Sequence, residues 1–197
     1  LVNYPHFMAS YYLLYSSRET VLRYKWAAIC FPMLVFGYCV YALYDSLQIQ
    51  GRSPHYEILY GIATFYLALH YTGQAWGTTV TFAWLDGIRF SNAERFILRS
   101  GFRLLAVWHM IWVAHQDRFI AEDLLWLSFP LHGIITIAAM TAFVAGLVVF
   151  CRIWWRTGTA PSVRCIVSWA SIYLWYVLIQ VAPGAFFWLQ ISHALQY

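Results

Sequence analysis

Seven histidines stand in this chain of 197 residues, and His70, His109 and His132 fall inside apolar stretches long enough to cross a bilayer. His70 and Gln74 set an imidazole and an amide four residues apart. On a helix that spacing puts both on one face. His109 shares a face with Trp112 and with Gln116, and His193 with Gln196 three residues on. Imidazole and amide groups are costly in lipid unless they bind or hydrogen-bond something. Neutral imidazole suits iron, copper or zinc, with its second ring nitrogen steered by a nearby acceptor. The expected metal ligands are therefore drawn from His70, His109, His132, His6, His115 and His193, with Gln74, Gln116 and Gln196 behind them. His109 and His115 stand about 240° apart around a helix, so both face one centre only across a distorted turn.

A centre of this kind, non-haem iron or another transition metal, activates dioxygen against an unreactive lipid or isoprenoid chain. The leading expectation is thus a metal-dependent membrane oxidoreductase with a lipid or isoprenoid substrate. The alternative is a non-catalytic subunit of a membrane complex that binds haem, a chlorophyll-type pigment or a carotenoid, or that serves as a scaffold. A macrocycle needs one axial histidine and small residues beside it. His70 with Gly73 and Gly77 meets that requirement, as does His132 with Gly133. The same histidines also suit a plain structural role, tying helices together by hydrogen bonds.

Other chemistries find less support. There is no HxxxH or HxxHH box, no CxxCH haem attachment, no GxSxG elbow and no phosphate-binding glycine loop. Cys30, Cys39, Cys151 and Cys165 have no metal-ligand spacing and read as small packing residues. The formal net charge of +4 is spread over short connections, which argues against nucleic-acid binding.

The elements that must carry these residues are membrane helices. The chain is 62% hydrophobic and only 10% charged, against about one quarter charged in soluble domains. Apolar blocks predict spans at Trp26–Tyr44, Ile58–Trp84, Phe96–His115, Leu124–Phe150 and Cys165–Val181. A shorter helix is expected over residues 4–15, with Pro5 in its first turn, and Pro183-Gly184 should break the last span. Ser91-Asn92-Ala93-Glu94 reads as a capping box. Behind it Arg95, Arg99 and Arg103 make a basic stripe, on either an interfacial helix or the lower part of the third span. Asp86 and Arg89 are candidate partners for one another. The fold class is all-α: a polytopic membrane bundle of at least five transmembrane helices in a single domain. The start at Leu1 and the end in an apolar run lead us to expect a part of a longer membrane protein.

Charge alternates along the connections. Residues 18–25 are basic, 45–57 carry −1, 86–103 carry +2, 117–123 carry −2 and 151–164 carry +3. Basic connections are expected on the cytoplasmic side, in a bacterial inner membrane or an equivalent one. That orientation puts His70 roughly 18 Å, His109 roughly 10 Å and His132 roughly 12 Å below the outer surface, at about 1.5 Å per residue. His115, His6 and His193 would join them in the outer half of the bundle.

Overall fold

The computed structural model describes residues 11–49, 53–116, 125–182 and 184–185, with residues 116 and 125–127 described by backbone alone. His6, His193 and Gln196 lie outside the described residues, as does the Gln116 side chain. The helix expected over residues 4–15 falls largely outside them too.

The described elements are helical. They are α1 (Arg18–Arg23), α2 (Trp26–Ile49), α3 (Pro54–Leu85), α4 (Asn92–Gln116), α5 (Leu125–Thr157) and α6 (Val163–Val181). The protein is an all-α, membrane-embedded helical bundle. Among the described residues, four helices are long and apolar enough to cross a membrane: Trp26–Ile49, Asn92–His115, Ser128–Thr157 and Val163–Val181. Helix α3 has 32 residues, ample for a crossing, yet it falls outside that set. Its run is diluted by His70, Gln74, five glycine or threonine residues between Thr72 and Thr79, and Thr81. Those threonines donate their hydroxyls back to helical carbonyls, as Thr72 does to Ala68 at 2.7 Å and Thr79 to Ala75 at 2.7 Å. The threonine hydroxyls that lower the helix's hydropathy are thus satisfied within the helix.

Ile62–Val177 form one compact unit, and the described residues on either side of them another. In the flanking unit, Ser17 caps α1 by accepting from the Thr20 N–H at 3.1 Å, so the expected basic connection includes a six-residue helix. Helix α2 opens with a π turn over Trp26–Cys30, where the Phe31 N–H reaches back to the Trp26 carbonyl. Pro32 follows and has no N–H for the Ala28 carbonyl four residues before it. The Tyr15 hydroxyl donates to that carbonyl instead. Pro32 therefore opens the helix with a wide turn rather than bending its middle. Ser53 caps α3 with Pro54 in the first helical position, and its hydroxyl accepts from the Tyr56 N–H at 3.1 Å.

The central unit packs α4 against α5 and α6 through Leu98, Phe102, Leu105, Val149, Phe150, Ile153 and Trp169, all buried. Trp169 stacks on Phe143 at 5.0 Å and meets Phe150 edge-on at 5.1 Å. Two glycines permit the approach of α6. A Cβ at Gly146 would strike the Trp169 ring, and one at Gly101 would strike the Tyr173 hydroxyl. Glycine also ends two helices. Gly87 (φ +74°) closes α3 in a Schellman turn, with the Ile88 N–H on the Ala83 carbonyl at 2.8 Å, and Gly158 (φ +69°) follows α5.

The connection after α3 and the connection after α5 meet at one end of this unit. Arg164 pairs with Asp86 at 3.6 Å, and the Ser162 N–H donates to the same carboxylate at 3.2 Å. The partner of Asp86 is thus Arg164, far along the chain, and not its neighbour Arg89. Arg156 bonds both Glu94 and the Arg89 carbonyl at 3.2 Å. Glu94 completes the capping box: it accepts from the Ser91 N–H at 2.6 Å, and the Glu94 N–H faces the Ser91 hydroxyl at 3.4 Å. With the box in place, α4 begins at Asn92, so Arg95, Arg99 and Arg103 belong to the helix that crosses.

A candidate polar interior around His109 and His132

Helix α4 turns two stripes toward its neighbours. Phe102 and His109, seven residues apart, face α6, where they meet Tyr173 and Tyr176 at 6.2 and 5.7 Å between ring centroids. Trp108 and His115, also seven apart, face α5, where both meet His132, at 5.2 and 5.7 Å. The 3.6-residue period produces both stripes from one helix. It also explains why His109 and His115 do not share a centre.

His109 is 3% exposed, and its Nδ1 is buried without a hydrogen-bond partner among the described residues. Its ring makes a T-shaped contact with that of Tyr176, at an interplanar angle of 76°. The Tyr176 hydroxyl is likewise buried and unpartnered. Trp108 joins this pair to His132, because its ring lies 5.1 Å from Tyr176 and 5.2 Å from His132. The indole N–H of Trp108 donates to the Thr136 hydroxyl at 2.9 Å, and that hydroxyl donates to the His132 carbonyl at 2.7 Å. This relay fixes the backbone of His132 and leaves its ring unbonded at Nε2, which is buried without a partner.

His115 is different. Its Nδ1 lies 3.0 Å from the Ile111 carbonyl, which can only accept, so Nδ1 carries the proton. Its Nε2 then accepts from the Ser128 hydroxyl at 3.1 Å. Both ring nitrogens are engaged, so His115 positions its neighbours and has no lone pair to spare.

His70 lies on α3 against Tyr66, in a stacked contact of 5.8 Å, and against Tyr71 at 5.9 Å. Tyr71 meets Trp175 edge-on at 6.3 Å. Gln74, one turn from His70, has both amide atoms buried and unpartnered among the described residues. Gly73 and Gly77 are exposed, with nothing within 4 Å of a Cβ built on either, and the same holds at Gly133. The close contacts at glycine occur at Gly101 and Gly146 instead.

The structure thus pairs His115 with His132 and links His132 to His109 through Trp108 and Tyr176. His70 sits in a tyrosine cluster of its own. No group of three or more histidine, cysteine or acidic side chains spaced for a metal occurs among the described residues. Composition did not single out α6. Trp169, Tyr173 and Tyr176 stand at one-face spacing and each buries a polar atom without a partner. Their spacing over roughly 10 Å of helix was the available signal. A buried polar group left dry costs about 1–3 kcal/mol, so an interior with several of them is suited to a polar guest.

No protein-family model, curated protein or solved structure matches this chain.

Proposed function

We propose that this protein is a membrane-embedded oxidoreductase whose transition metal, iron in the first instance, is held by histidines and acts on a lipid or isoprenoid chain. One observation carries the reading: His109 and His132 each bury an imidazole nitrogen with no hydrogen-bond partner among the described residues. A metal ion is the guest that such a nitrogen rewards most, and neutral imidazole is the form that binds it. The donors are drawn from His109 and His132, with His70 on α3. His115, held by Ile111 and Ser128, orients its neighbour His132. Gln74 supplies a buried amide. The bound metal would supply Lewis-acid and redox chemistry. The chain's own part is to hold it in a dry, aromatic interior and to exclude water.

On this reading α3 is a fifth crossing, its polar residues turned to the guest. The basic connections face the cytoplasm of a bacterial inner membrane or its equivalent.

A second reading has its own support. Each free imidazole nitrogen stands singly among aromatic rings, which is what axial ligation of a noncovalent haem or chlorophyll-type macrocycle requires. Metal analysis and an absorption spectrum of the detergent-purified protein separate the two. We expect about one first-row metal ion per chain and no Soret band, with loss of the metal in His109→Ala or His132→Ala. A macrocycle spectrum would transfer the site to the second reading. Folded protein with neither metal nor pigment would leave the histidines as helix ties.

A further inference from the structure

The outward face of α4 has two halves. Arg95, Arg99 and Arg103 are exposed, and none has an ion pair among the described residues. Beyond them on the same side the helix exposes Val107 and Met110, 43% and 37% accessible. Arg99, Arg103, Val107 and Met110 fall within about 80° of arc. The acidic residues nearby are already taken, since Glu94 holds Arg156 and Asp86 holds Arg164. Arg103 lies eleven residues into a 25-residue helix, roughly 16 Å from its start. That is deep for an unpaired guanidinium in a hydrocarbon layer about 30 Å thick. Helical side chains lean toward the N terminus, so Arg103 snorkels toward Arg99 and the ion-paired turns.

We propose that this face is a binding site for an anionic phospholipid. The phosphate sits between Arg99 and Arg103, with Arg95 at its rim, and one acyl chain lies along Val107 and Met110. Charge complementarity selects the headgroup. The order of the face, cationic and then apolar along roughly 16 Å from Arg99 to Met110, matches a phosphate followed by a chain. A soluble anion would use the first half alone. An acidic protein segment would leave the second half uncovered.

Native mass spectrometry of the full chain tests this, with phosphatidylglycerol and phosphatidylcholine offered in equal amounts. Retention of phosphatidylglycerol at least about tenfold above phosphatidylcholine is expected, from two guanidiniums near the surface. Arg99→Gln with Arg103→Gln should erase the preference, Arg99→Lys with Arg103→Lys should keep most of it, and Arg152→Gln on α5 should not change it. Equal retention of both lipids by the unaltered protein would overturn the site, whatever the variants do. So would a glutamine pair that still prefers phosphatidylglycerol.

Discussion

An unpaired buried imidazole can be tested by shape. At His109 the ring is 3% exposed and makes a T-shaped contact with Tyr176. Phenylalanine keeps a planar ring there and removes Nδ1. Where a buried polar group has no partner, an apolar group of similar shape is neutral or stabilising, by about 1 kcal/mol or more. His109→Phe should therefore keep or raise the unfolding midpoint of metal-stripped protein, while abolishing metal retention in protein purified with its metal. Loss of stability in both forms would show that His109 is only a structural tie. Gly146 makes the opposite case. A Cβ there overlaps Trp169, which is fully buried. Gly146→Ala is expected to lower stability by about 1–3 kcal/mol, the usual cost of overpacking, with Gly73→Ala on the exposed face as a harmless comparison. Thermal unfolding in detergent reads both.

Among the elements, what was legible in the sequence was what is local. Ser91 and Glu94 are three residues apart, so their capping box could be read directly, and the helix begins where they place it. Hydrophobic blocks located α2, α4, α5 and α6 for the same reason, although the helices outrun the apolar spans, as α5 does in reaching Thr157. Partners chosen across the fold were not legible. Asp86 meets Arg164 rather than Arg89, and nothing at the Gly73 and Gly77 spacing says that this face turns outward while Gly101 and Gly146 turn in. Which histidines touch was not legible either, because contact follows from helix rotation and counting residues gives only position along the helix. The Glu94 ion pair sharpens the point. Glu94 is 3% exposed and Arg156 is 46% exposed. Arg156→Ala would strand a buried carboxylate that still accepts from Ser91. We expect a loss of about 1–2 kcal/mol, below the 3–5 of a wholly buried pair because Arg156 is half in solvent. Glu94→Gln in the same background should recover part of it, and a double-mutant cycle of unfolding midpoints measures the coupling.

At the scale of the molecule, the ion pairs bear on topology. Asp86 with Arg164, and Arg156 with Glu94, hold the connections after α3 and after α5 at one end of the central unit. The sequence stretches that hold these contacts, residues 86–103 and 151–164 with the adjoining helix turns, are net basic at +2 and +3, so the charge alternation and the contacts pair the same stretches. From the positive-inside rule we predict that this end faces the cytoplasm and that the acidic 117–123 stretch is reached from the other side. Single reporters make this concrete. In a background with Cys30, Cys39, Cys151 and Cys165 replaced, Arg89→Cys and Thr159→Cys should resist an impermeant maleimide in intact cells and react after permeabilisation. Ile120→Cys should react from outside without permeabilisation. If positions 89 and 159 label from opposite sides, the latch between the two connections is not present in the membrane. If they label together from outside, the latch stands and the orientation is reversed. The depths assigned to His70, His109 and His132 would then be measured from the cytoplasmic face, and the phosphate expected at Arg99 and Arg103 would belong to the outer leaflet.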